Sequence, residues 1–347
     1  MSLTAVAPDV RLPFAGRGPL SEAVLRHLCG GAADGDPGAL AAMALAQTAD
    51  IVRDDDIQLA LFALYASSYG SIDSFSADDE WDPELISTRR MLEERFEQAL
   101  RAQVPQPDPP AHTADAVARS LFALTAADSG PSVARHLART ATPEQAREFF
   151  IQRSVYTLRE ADPHSWAIPR LHGRAKAALV EIQADEYGGG RPDRVHATIF
   201  AAAMRGVGLD DTYAAYVDDV PAITLASLNM MSMFGLNRRL LGAIVGHLAA
   251  FEMTSSIPSR MYADGLRRLG FGEDVTDYFD EHVEADAVHE QIAARDLAGA
   301  LAEDRPELLA DIMFGAAACL AVDGWAGEHM LDAWARGESS LRGKARS

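Results

Sequence analysis

An all-α fold is predicted for this chain by three observations. Alanine, leucine, glutamate and arginine dominate the composition, segment after segment carries apolar residues three and four positions apart, and no run shows the alternation of a half-buried strand. The first helical signals are LSEAVLRHL from Leu20 and DIQLALFALYASSYG from Asp56. Asp54, Asp55 and Asp56 suit the start of the second, where carboxylates cap free N–H groups and face the positive end of the helix dipole. ELISTRRMLEERFEQALRAQV, from Glu84, completes an N-terminal helical region over 1–104. PQPDPP, Pro105 to Pro110, is the clearest breaker and sets a boundary near residue 108. A bundle is expected over 111–338, with helices at about 111–127, 130–140, 143–161, 170–187, 193–206, 210–219, 222–234, 237–253, 258–269, 274–302 and 306–337. The basic, Gly/Ser-containing end, 339–347, is expected to be a flexible tail.

The chain has 347 residues, 48% of them hydrophobic, enough to bury a substantial core. Fifty-one acidic against 31 basic residues give a net charge of −20, which argues against nucleic acid or an anionic membrane and for a small-molecule partner. Cys29 and Cys319 make neither a disulfide framework nor a zinc or redox motif, as expected of a protein in a reducing cytoplasm. No signal-like apolar run opens the sequence, and the longest apolar stretch, Ile312 to Val322, is about half a membrane span. There is no Gly-rich phosphate loop and no flavin or nicotinamide fingerprint.

The chemistry-bearing pattern is His282-x3-Asp286-x2-His289, inside a stretch without proline or glycine until Gly299. Offsets of four and three align these side chains on one helix face, which is how a bundle presents metal ligands to its core. Three further places supply partners. Glu186 ends VEIQADEYGGG, where Gly188 to Gly190 stop a helix and Pro192 permits another, with His196 in its first turn or two. Glu252 ends the apolar LLGAIVGHLAAFE, and Glu160 closes the helix of Phe149, Val155 and Tyr156 before Asp162-Pro163. Carboxylates mixed with imidazoles suit iron or manganese better than zinc. His282 and His289 lie about 10.5 Å apart along a helix axis, too far for one ion, so two ions are expected with glutamates bridging.

The ordered set Glu160, Glu186-x9-His196, Glu252 and His282-x3-Asp286-x2-His289, with DEYGGG, resembles the heme-oxygenase-like diiron oxidases and oxygenases, closest to their N-oxygenating branch. The resemblance covers about residues 115–302, and more loosely the N-terminal region. It implies a heme-oxygenase-like seven-helix bundle with an added N-terminal helical region. It implies that Glu186, His196, Glu252 and His282 hold one iron, and that Glu160, Asp286 and His289, with one or both shared glutamates, hold a second, easily emptied one. Glu160, Glu186, Glu252 and Asp286 would be the catalytic carboxylates. The implied activity is that of a non-heme diiron oxygenase of natural-product biosynthesis. Two Fe(II) ions and O2, through a peroxo-diiron(III) intermediate, would oxidise an amine or amino-acid-like nitrogen to hydroxylamine, nitroso or nitro products. An external electron donor and a homodimer are further implied. No cupin domain follows the bundle, so only N-oxygenation would carry over. Oxidative C–C cleavage, decarboxylation or desaturation by the same ligand core is the alternative, and a non-enzymatic metal- or heme-binding bundle the second.

Other residues carry plainer readings. Arg153 and Tyr156, on the arc of Glu160, are candidate substrate contacts, and His164, Trp166, Arg170 and His172 candidate entrance residues. Met230, Met231 and Met233 read as core filler and His247 as structural. No Glu-x-x-His pair occurs, against a ferritin-like diiron bundle.

Overall fold

Short polar side chains and prolines start many of the helices. Asp36, Asp54, Thr113, Ser132 and Thr142 each accept a hydrogen bond from a backbone N–H of the turn they open, and Thr142 forms a reciprocal capping box with Gln145. The computed structural model describes residues 10–343 apart from 33–34, 128–129 and 131, and only the backbone over 284–287. The described residues form sixteen α-helices and no strand. In order they are α1 (Pro19–Leu28), α2 (Pro37–Gln47), α3 (Asp55–Tyr69), α4 (Pro83–Gln103), α5 (Ala114–Ala126), α6 (Val133–Arg139), α7 (Pro143–Thr157) and α8 (Asp162–Ser165). There follow α9 (Gly173–Glu186), α10 (His196–Gly206), α11 (Ala222–Leu236), α12 (Leu241–Met253), α13 (Ser256–Arg268), α14 (Glu273–Gln291), α15 (Ala300–Asp304) and α16 (Leu309–Ala335).

Two units divide the chain, residues 1–103 with 220–229, and residues 104–219 with 230–347. In the first, α3 is buried from Ile57 to Ala66. Asp54 caps it through Ile57 N at 3.0 Å, whereas Asp56 caps α1, accepting from Leu20 N at 3.0 Å and Ser21 N at 2.6 Å. One acidic run therefore starts two helices. Asn229 joins this unit by donating to Gln58 O and Oε1, both at 2.8 Å, and Val220 by accepting from Arg17 at 2.7 Å. The sequence pattern had assigned 220–229 to the bundle; these buried polar contacts tie it to the N-terminal residues instead.

The second unit is built on an aromatic core. Phe149 and Phe150 of α7, Phe200 of α10 and Phe279 of α14 are each at most 1% exposed, with Phe150 5.5 Å from Phe200 and 6.0 Å from Phe279. Each such ring contributes roughly 1.5–3 kcal/mol by leaving water. Together they fix the helices that lead to Glu160, His196 and His282. On the other side α12 lies against α16 with glycine on both surfaces: a Cβ on Gly246 would overlap the Ile312 carbonyl oxygen, and one on Gly315 the Ala243 carbonyl. Close approach of two backbones is what glycine permits here.

Several expected elements differ. The helix expected over 143–161 stops at Thr157, so Glu160 lies in the turn beyond it, Ala161 takes a left-handed φ of 73°, and Pro163 cannot continue the hydrogen-bond ladder. Residues 210–219 form turns, because Asp210 Oδ1 accepts from Thr212 N at 2.8 Å and Asp210 N–H donates to the Tyr216 hydroxyl at 2.8 Å, competing with a helical ladder. The long helix expected over 274–302 changes to a π-helix over Ile292–Gly299. The expected tail is anchored through its described part: Ser340 is 1% exposed, its N–H and hydroxyl donate to Glu148 Oε2 at 2.8 Å, and Arg342 N–H donates to Asp219 O at 2.7 Å.

Gly246→Ala is expected to destabilise the protein by about 3 kcal/mol, since the clash is with backbone that cannot swing aside. Thermal and denaturant melts check this; a melt within error of the parent protein would contradict the close contact.

Candidate metal centre

The end of α9 and the start of α10 place Glu186 and His196 together across the glycine break. Gly188, Gly189 and Gly190 all have positive φ, at 74°, 58° and 84°, which lets the chain reverse within a few residues. Glu160 arrives from the turn after α7, Glu252 from the last turn of α12, and His282 and His289 from α14. All six residues are at most 7% exposed. Their donor atoms form two groups, each within 4.8 Å mutually: Glu160, Glu186, His196 and His282, and Glu186, Glu252 and His289. Glu186 belongs to both.

The grouping of Glu160 differs from the expected one, while the expected sharing of a glutamate leaves room for Glu252 beside His289. Glu160 stands with His196 and His282, because the turn beyond α7 carries it towards Tyr278. Glu252 stands with His289, its Oε2 3.5 Å from Nδ1. Asp286, the expected ligand beside His289, has a side chain outside the described residues.

The imidazoles are oriented as ligands are. His282 donates from Nδ1 to the Tyr278 carbonyl at 2.7 Å, which leaves Nε2 facing Glu160 Oε1 at 3.7 Å. His289 Nε2 meets Asp185 Oδ2 at 3.0 Å, so its Nδ1 faces the cluster. Fixing one ring nitrogen to a carbonyl or carboxylate, so that the other presents a lone pair, is the usual support of a metal-bound histidine. His196 Nδ1 lies 3.0 Å from Glu186 Oε2 but off the hydrogen-bond direction. About 3 Å is also the spacing of two ligand atoms at right angles, each about 2.1 Å from one ion. Buried oxygen and nitrogen donors without thiolate fit iron.

These groups also lean on one another. Burial would push His196 and His289 down, but the carboxylates of Glu186 and of Glu252 with Asp185 outweigh it, raising His196 and carrying His289 to about 9. Burial would raise Glu160, yet His282, His196 and the Tyr278 hydroxyl hold it below the usual range. That hydroxyl donates to both Glu160 oxygens, at 2.8 and 2.7 Å, and burial beside Glu160 keeps it protonated.

A small, partly open cleft lies beside the cluster. Glu160, Glu186, Glu252 and His282 bound one side; Tyr156, His164, Gln183, Leu248 and Phe251 form much of the rest. Tyr156, expected as a substrate contact, and His164, expected at the entrance, both line it. Arg153 does not line this cavity; its guanidinium sits over the rings of Phe149 and Tyr262, at 5.5 and 5.9 Å. Nor do Trp166, Arg170 and His172, and Arg170 is spent on the carbonyls of Gly235 and Leu236. His247, read as structural, supports His164: its Nδ1 is 3.2 Å from His164 Nε2, both rings fully buried. Sequence reasoning missed Asp185, Tyr278 and Gln183. Tyr278 had a signal, four residues before His282 on the same helix face; Asp185 and Gln183 had none beyond proximity to Glu186.

Residues 147–324, just over half the chain, match the iron-containing redox enzyme family, and the chain belongs to it. It is an oxidoreductase of that family, with buried His/Glu groups compatible with iron. It is similar to the nitrosourea synthase of Streptomyces achromogenes subsp. streptozoticus, 29% identical over 194 residues, which are 56% of this chain and 41% of that protein. The chain therefore spans less than half the length of that relative. Among solved structures it is similar to a CADD-like protein of unknown function from Nostoc punctiforme PCC 73102. One crystal structure of that protein gives a TM-score of 0.50 at 16% identity, over 65% of this chain and 97% of the other. A second gives 0.48 at 18%, over 61% and 94%. The fold is the heme-oxygenase-like helical fold.

Replacing Glu186 by alanine is expected to impair metal binding by both groups, whereas His289→Ala spares the group of Glu160, His196 and His282. Metal content after anaerobic ferrous loading reads the difference, and equal losses in the two variants would refute the shared role of Glu186. The histidine pair gives a pH test. Burial lowers His164 to about 4 and His247 well below 6.5, so between pH 6.5 and about 4.5 the unfolded chain binds more protons than the folded one. Stability should fall with acid there, by up to about 1.4 kcal/mol per pH unit for each imidazole. His247→Phe should halve the slope in denaturant titrations; an unchanged slope would remove the pair as its cause.

Proposed function

We propose that this chain is a non-heme diiron oxygenase that N-oxygenates a small amine or amino-acid-like substrate. The observation that carries this reading is Glu186, a buried carboxylate common to two groups of ligand-type side chains, as expected of a bridge between two ions. Glu160, His196 and His282 would complete one site, and Glu252 and His289 the other. Similarity to a nitrosourea synthase over the matched residues supports nitrogen as the atom oxidised. When bound, a pair of ferrous ions would supply two electrons, O2 giving one oxygen atom to the amine nitrogen and the other to water, with an external reductant restoring the pair.

The protein's own contribution is positional. Tyr278 holds Glu160 through its hydroxyl and His282 through its carbonyl, so two ligands from different elements move as one. Asp185 keeps the proton on His289 Nε2. Leu248, Phe251 and the ring of Tyr156 make the cavity wall apolar beside three carboxylates, which limits water and strengthens each electrostatic contact. A substrate nitrogen entering there meets the cluster directly.

Anaerobic ferrous loading should give close to two irons per chain, and exposure to O2 with a panel of amines and amino acids should yield products heavier by oxygen on nitrogen, identified by mass spectrometry with labelled O2. Iron-free or heme-bound protein would sink the proposal. Oxidised or cleaved carbon with nitrogen untouched would replace it with the decarboxylating or desaturating activity.

A further inference from the structure

His27, Asp79 and Asp82 form a third group of ligand-type side chains, apart from the centre already described and within the first unit: one donor atom from each lies within 4.8 Å of the other two. They come from the last turn of α1, the short 3-10 helix Ala77–Trp81 and the residue just before α4. The backbone sets them there. Ser76 N–H donates to Leu28 O at 2.7 Å, which ties the entry of the 3-10 helix to the end of α1, and Asp82 N–H donates to Asp79 O at 3.1 Å. Asp82 Oδ1 accepts from Glu84 N at 2.8 Å and Leu85 N at 3.0 Å, capping α4 and leaving Oδ2 to face His27.

His27 Nε2 stands 3.6 Å from Asp82 Oδ2. That is too long for a hydrogen bond, whose N···O distance is about 2.7–3.2 Å. It is close to the spacing of about 3.4 Å between two ligand atoms held about 2.1 Å from one ion at a tetrahedral angle. Asp79 brings a second carboxylate to the same place, and among the described residues no lysine, arginine or hydrogen-bond donor pairs with its side chain. Two carboxylates so close repel unless a cation stands between them.

We infer that His27, Asp79 and Asp82 bind one divalent transition-metal ion of the zinc type, with water completing its coordination, and that the ion fastens α1 to the start of α4. One imidazole with two carboxylates and no thiolate suits such an ion, whereas magnesium and calcium take oxygen ligands. The side chains of His27 and Asp82 are 24% and 27% exposed, so an ion in solution reaches them. The inference concerns the first unit alone and stands apart from the proposed diiron chemistry.

Zinc bound per chain after equilibrium dialysis against Zn2+ in excess Mg2+ tests this. The two groups around Glu186 can also take zinc, so the measure is a difference: His27→Gln and Asp79→Asn should each bind one ion fewer than the parent protein, and the same difference should persist in a Glu186→Ala background. Asp78→Asn, which removes a neighbouring exposed carboxylate outside the group, should cost no zinc. In the Glu186→Ala background Zn2+ should also raise the melting temperature, and His27→Gln should abolish most of that shift, since an ion bound only by the folded state stabilises it. Should Glu186→Ala not fold, the comparison with the parent protein and the Asp78→Asn control decide by themselves. Equal zinc in the parent and His27→Gln, a loss as large in Asp78→Asn, or displacement of the ion by Mg2+ would overturn the inference.

Discussion

Three carboxylates and three imidazoles share the interior of one helical unit, and nearly everything around them follows from the cost of putting them there. A charge moved from water into a protein core loses several kcal/mol of hydration unless neighbours replace it. Glu160, Glu186 and Glu252 are answered by His282, His196 and His289, and the outer side of the set is tied to Tyr278 and Asp185. Protons on the imidazoles can balance the carboxylates when no ion is held. Cations would do so more completely, so the same residues that burden the fold give it an affinity for metal.

The scaffold answers that demand with rigidity on two sides. The phenylalanines of α7, α10 and α14 lock three ligand-bearing paths, and the glycine-lined contact of α12 with α16 holds the helix that ends at Glu252. Glu160 is the exception, since it hangs from a turn with Ala161 in a left-handed conformation. Tyr278 compensates by gripping both of its oxygens.

Much of this was legible in the sequence where a local rule decided the outcome. The glycine run after Glu186 and the seven-residue spacing of His282 and His289 named candidate ligands because backbone geometry alone turns Glu186 towards His196 and sets the two histidines on one helix face. The family resemblance supplied the ordered set. The sharing of ligands was not legible: whether Glu160 joins His282 or His289 depends on where α7 stops, and a left-handed alanine before Asp162-Pro163 has no sequence signature. The cap read at Asp54 to Asp56 was found, but not that Asp56 serves α1, because that contact joins residues 36 positions apart. The turns over 210–219 escaped for a related reason, side-chain bonds outcompeting a helical pattern of moderate strength.

The π-helical stretch from Ile292 to Gly299 begins three residues after His289. A π-helical turn holds more residues than an α-helical one, and such a stretch is what an α-helix becomes when it absorbs an inserted residue without bulging into a loop. Faces counted forward from His289 at 3.6 residues per turn therefore point the wrong way beyond Gly299. Any residue-by-residue alignment of this chain with a relative lacking that feature needs a one-residue gap inside an unbroken helix, just after His289.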